Sequence, residues 1–116
     1  MPIDFESFHL PLAHSETRLP GPEGKPFVEL FRHGPISVEL FAPREVDTQQ
    51  PHTQDELYVV ARGTGEFVNG PRRHPFAPGD MMFVPAGIVH RFERFSDDFL
   101  VWVVFCGPEG GHAPQS

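Results

Sequence analysis

Prolines and glycines interrupt this 116-residue chain so often that a helix of ordinary length has no room to form: 14 of the first and 11 of the second are spread throughout. Proline removes a backbone donor and glycine adds chain entropy, so each tends to end regular structure where it falls. What survives between them are short runs weighted toward Phe and Val, side chains that suit a pleated, half-buried surface. From Phe27 onward these runs arrive at the short regular spacing of an all-β sandwich or barrel: about 27–32, 36–42, 57–62, 65–68, 72–76, 81–84, 88–94 and 99–105. The separators are turn-forming residues: His33, Gly34 and Pro35; then Asn69 and Gly70; then Pro78, Gly79 and Asp80. The runs Leu57 to Ala61 and Phe99 to Phe105 are apolar at both parities, which predicts strands covered on both faces by closure into a barrel or by two packed sheets.

The length supports one compact core, hence a single domain. Residues 1–26 hold Pro2, Pro11, Pro20, Pro22 and Pro26, so they are expected to form an arm over the body without helix or central strand. Within it, Ile3 to Phe8 is a candidate edge strand that could reach a partner subunit. The barrel is expected over 27–106, and 107–116, with nothing apolar to bury, is expected to fray.

Acidic residues outnumber basic ones, 16 to 9, so the electrostatic footprint of a nucleic-acid binder is missing. Arg72, Arg73 and His74 form the only basic cluster and read as a solvated turn. The N-terminus lacks a basic segment followed by an apolar run, and the longest apolar stretch, 99–106, is too short to span a bilayer, so a soluble, cytoplasmic protein is expected. The single cysteine, Cys106, excludes an internal disulfide and a thiolate-rich zinc site, and reads as a small buried hydrophobe.

Chemistry concentrates between Gln50 and Arg94. His52 and Glu56 are four residues apart, which in one straight strand would separate their Cα atoms by roughly 13 Å, too far to share an ion. A common site therefore requires a bend at Thr53, Gln54 and Asp55, with His52 closing one strand and Glu56 opening the next. His90 follows the turn Pro85, Ala86, Gly87 and would open a third. Two imidazoles and one carboxylate converging at a barrel mouth suit Fe, Mn, Ni, Co or Zn. Asp55 competes with Glu56 as the carboxylate. By parity, Tyr58 and Val60 would line the same cavity as Glu56, and Phe92 the same cavity as His90. The other histidines (His9, His14, His33, His74, His112) read as exposed loop residues.

These residues resemble the two motifs of the cupin superfamily. From its second histidine onward the first motif is matched by His52, Glu56 and Gly63; the second is matched in full by Gly79, Pro85, Gly87 and His90. Three positions depart: Gln50 stands where the first motif histidine belongs, Arg44 at the leading glycine, and Arg94 at the closing asparagine. The resemblance implies an all-β, double-stranded β-helix or jelly-roll barrel holding one divalent transition metal ion on His52, Glu56 and His90. Gln50 would be a weak fourth ligand or a hydrogen-bonding group behind the ligands, with Gln54 replacing it if the register slips. It also implies a small-molecule substrate, with oxygenase, isomerase or lyase chemistry, or alternatively a binding module for a sugar-like or aromatic ligand. A homodimer is expected, since such chains commonly pair.

Overall fold

A computed structural model of the chain describes residues 9–112. Among the described residues, eight strands form two antiparallel sheets: β1 (Phe27–His33), β2 (Ile36–Phe41), β3 (Asp55–Arg62), β4 (Gly65–Asn69), β5 (Arg72–Phe76), β6 (Met81–Val84), β7 (His90–Glu93) and β8 (Leu100–Cys106). Five lie in the order β1-β2-β8-β3-β6 and three in the order β5-β4-β7, a jelly-roll barrel. The separators act as expected: β1 and β2 pair down to His33 opposite Ile36 across Gly34 and Pro35, and β4 and β5 pair down to Asn69 opposite Arg72.

The strand parities decide what faces inward. On β3, Glu56, Tyr58 and Val60 alternate as buried residues, matched across the ladder by Phe105, Val103 and Val101 of β8. Phe67, Phe76, Phe92 and Phe99 close the core from the other side. Their rings stack tilted or edge-on at centroid separations such as 4.7 Å for Phe67 and Phe92, favourable for aromatic quadrupoles. A second cluster, of Val28, Leu40, Ala42 and Leu100, lies on the outer face of the larger sheet beneath Leu12 and Leu19.

The described part of the arm is more regular than its prolines suggested. It forms a short helix α1 (Leu12–Ser15) and 3-10 turns at Glu16–Arg18 and Pro22–Gly24. Pro11 sits at the N-cap and Pro22 at the first position of its turn, where a missing N–H costs nothing, so proline starts these turns instead of preventing them. The arm packs on its own chain, with Arg62 Nη2 2.7 Å from Glu16 Oε2. The candidate strand Ile3 to Phe8 falls outside the described residues. At the other end, Gly110 N–H donates to Thr53 O at 2.6 Å, so the start of the expected tail is held against the bend before β3.

Other expectations are corrected. Arg72, Arg73 and His74 belong to exposed strand β5, not to a turn, with Arg73 paired to Glu66 and Glu93. Cys106 is half-buried, with its Sγ 3.8 Å from Asp55 O. His9, His14, His33, His74 and His112 are exposed, His33 and His74 on strands. No helix among the described residues is long and apolar enough to cross a membrane.

Candidate metal centre

His52, Glu56 and His90 meet at one mouth of the barrel, their ligating atoms all within 4.8 Å of one another. Glu56 is the second residue of β3, and His90 is the first of β7, as the bend and the Pro85 to Gly87 turn predicted. His52 closes no strand; it lies in the irregular segment before β3, where Pro43 and Pro51 deny the backbone a ladder. Hydrogen bonds from the opposite turn hold that segment instead. Gly87 N–H donates to His52 O at 2.8 Å, and Ala86 N–H donates to Asp55 Oδ1 at 2.9 Å. The two halves of the site are thus stitched together by the turn that carries His90, and Asp55 supports that turn instead of competing with Glu56.

Glu56 and His90 are almost fully buried, at 1% and 2% exposure, while His52 is partly open. His90 Nε2 lies 2.9 Å from Glu56 Oε1, and His52 Nε2 lies 3.8 Å from the same oxygen. His90 Nδ1 is 2.8 Å from Ile88 O. A carbonyl only accepts, so Nδ1 bears the hydrogen, and in a neutral imidazole Nε2 then presents a lone pair to the carboxylate. Consistent with this, both Glu56 oxygens and His90 Nε2 are buried without a hydrogen-bond partner. Lone pairs facing each other in a dry site require a cation between them, a proton or a metal ion. Burial opposes protonation of His90, but the Glu56 carboxylate and the Ile88 carbonyl outweigh it and raise its pKa. For His52, burial prevails, with His90 adding to it, and the pKa is lowered. One carboxylate and two imidazole nitrogens brought together in this way form a donor set that fits a divalent transition metal ion.

Gln50 stands apart from this cluster. It is exposed, with Nε2 3.5 Å from Thr48 O. Gln54 is tied to the Pro35 and Gly107 carbonyls, each at 2.9 Å. The amide that faces the site is Gln49, one residue earlier. Its Nε2 donates to Asp47 Oδ2 at 2.7 Å and its backbone N–H to Asp47 Oδ1 at 3.0 Å. Asp47 is itself buried and accepts Phe92 N–H at 2.8 Å, fixing the segment to β7. Gln49 Oε1 accepts the Tyr58 hydroxyl at 3.0 Å and lies 3.3 Å from His52 Nε2.

A cavity of about 330 Å³ opens beside the cluster, walled by Arg32, Ser37, Glu39, Gln49, Tyr58 and Phe105 among others. Tyr58 lines it as parity predicted, with burial first and the Glu56 charge second holding its phenol protonated. Val60 and Phe92 do not: both are packed in the core below, because the aromatic layer fills the barrel at their level. Glu39 is the unforeseen wall residue. Burial, then the charges of Glu29 and Glu56, push its carboxyl up to about 7, against the opposing pull of Arg32.

A barrel of two antiparallel sheets with two imidazoles and a carboxylate converging at its mouth defines a jelly roll with a candidate metal site. The sequence profile of the Cupin domain family matches residues 37–106, and the chain belongs to that family. It is 38% identical over 85 residues to uncharacterized protein SCO3923 of Streptomyces coelicolor, covering 72% of this chain and 81% of that one. A cupin-2 domain protein from Shewanella frigidimarina superposes with a TM-score of 0.67 at 11% identity, covering 90% of this chain and all of the other. A cupin superfamily protein from Desulfitobacterium hafniense superposes at 0.62 with 21% identity, covering 84% and 88%. These solved structures support the fold alone.

Proposed function

We propose that this cupin is a metal-dependent enzyme acting on a small organic molecule, with His52, Glu56 and His90 holding one divalent transition metal ion. The observation that carries the reading is the buried, unpartnered set of Glu56 oxygens and His90 Nε2. When bound, the ion would supply Lewis acidity toward a substrate oxygen. The chain's own contribution begins with the partly open face of His52, which leaves the cluster accessible from the cavity. Tyr58 and Gln49 form a hydrogen-bonded wall that orients a polar ligand. Phe105 packs edge-on against the His52 ring at a centroid distance of 4.9 Å and restricts water on that side.

Glu39 favours catalysis over binding alone. It points into the same cavity from β2, in the ladder row of Val103 and Tyr58, so roughly 10 Å of sheet separates its Cα from that of Tyr58. A ligand between them would meet a carboxyl that burial and the Glu29 charge hold above the ordinary carboxylate range, placed to give or take a proton. Isomerase or lyase chemistry, which moves a proton next to a polarised oxygen, uses both features.

Elemental analysis of untagged protein, beside a His52→Ala, His90→Ala double variant, tests the reading. Near-stoichiometric metal in the parent and none in the variant is expected. Absence from both after growth with Fe, Mn, Co, Ni and Zn would remove the metal-dependent function.

A further inference from the structure

We propose that Gln49 supplies the fourth donor of the metal centre through its amide oxygen, making a site of two imidazoles, one carboxylate and one neutral oxygen; this rests on the metal-binding reading of the cluster. The orientation of the amide is fixed chemically. Asp47, a carboxylate, accepts from whatever faces it, so the Gln49 nitrogen must point to Asp47 and the oxygen into the site. That oxygen has two lone pairs. The Tyr58 hydroxyl takes one at 3.0 Å, and the other remains beside His52 Nε2.

Three donor spacings suit the edges of a coordination polyhedron. Donors bound at about 2.1 Å lie roughly 3.0 Å apart at right angles and roughly 3.4 Å apart at tetrahedral angles. Gln49 Oε1 to His52 Nε2 is 3.3 Å, and Glu56 Oε1 to His90 Nε2 is 2.9 Å, two edges that one ion can bridge. The wider 3.8 Å edge from His52 to Glu56 fits an angle opened beyond tetrahedral. Gln50, one residue on, is turned to Thr48 and takes no part. Since the fourth donor is neutral, a bound dication keeps a net charge of +1, which favours an anionic or polarisable oxygen ligand over a neutral apolar one.

Cobalt(II) affinity, measured by chelator competition together with the visible d–d spectrum, tests this in the intact chain. Gln49→Leu is expected to weaken binding by about tenfold or more, and Gln49→His, which offers a stronger donor at the same place, to tighten it by about tenfold with a shifted spectrum. Gln50→Leu and Gln50→His should match the parent. A residue that merely positioned Tyr58 or His52 would lose affinity in both Gln49 variants. Cobalt binding by Gln49→Leu within twofold of the parent, or weakened binding by Gln49→His, overturns the assignment while leaving the three-ligand centre intact. A parent that takes up no cobalt overturns both. Circular dichroism of each variant ensures that affinity is compared between folded proteins.

Discussion

Glu39 illustrates how one side chain's chemistry depends on which way its strand faces. Along β2 the residues Val38 and Leu40 form the apolar parity, and sequence logic assigns such a parity to the core, leaving Glu39 to solvent. The fold reverses this: Leu40 is buried under the arm on the outer face, and Ser37, Glu39 and Phe41 look into the barrel. A carboxyl raised from 4.5 to about 7 is one the fold prefers protonated. The stability this represents is fully present below pH 4.5 and is lost as pH rises through about 7, where the native state must ionise a half-buried group. In metal-free protein, Glu39→Gln should therefore match the parent at low pH. Near pH 8 it should be the more stable, by on the order of 1 kcal/mol after allowance for solvent screening at the open mouth. Urea midpoints at the two pH values provide the measurement, and an unchanged difference between them would contradict a neutral Glu39. Gln49 was missed for a related reason: motif spacing pointed to Gln50, and only the path of the irregular segment shows which of two adjacent amides turns inward.

At the scale of strands and turns, the sequence was most legible where local chemistry is decisive. All eight strand positions are found close to their expected bounds, because the breakers between them act locally. The His52 segment was not legible, since its conformation is set by the distant Gly87, Ala86 and Phe92 amides. Glycines of the two motifs differ in what they do. Gly63 has a φ of +95°, and a Cβ there would lie 2.7 Å from Phe99 Cα and from Ser96 Oγ, so turn and packing both exclude a side chain. Gly79 has a φ of +91° but open space around it. Gly79→Ala should cost about 1 kcal/mol, the left-handed backbone alone, whereas Gly63→Ala should cost about 3 kcal/mol or more. Denaturant unfolding of the two variants compares them, and equal costs would show that the Phe99 loop gives way freely.

Across the whole molecule, the sheet that positions Glu56 has a second face. Leu57, Val59, Met81, Phe83 and Val104 share it by ladder register, and Met81 and Phe83 are 65% and 52% exposed. The apolar parity of these strands predicted cover on both sides, but the described arm shields the region of Leu40 and Leu100 and leaves this one open. We propose that a second copy of the chain covers it, since an open apolar patch is self-complementary across a two-fold axis. Light scattering should give a dimer mass for the parent and a monomer mass for a Met81→Lys, Phe83→Glu variant with unchanged circular dichroism; a monomeric parent would argue against the pairing. The sequence by itself determined the all-β architecture, the strand positions and the trio His52, Glu56 and His90, because turn residues and motif spacing act over a few residues. Only the tertiary structure decided that Gln49 and Glu39 face the site, that Val60 and Phe92 do not, and that the described residues leave one sheet face uncovered. Those choices depend on which of two strand faces, or which of two neighbouring amides, meets a distant segment, and chain-local chemistry is the same for either outcome.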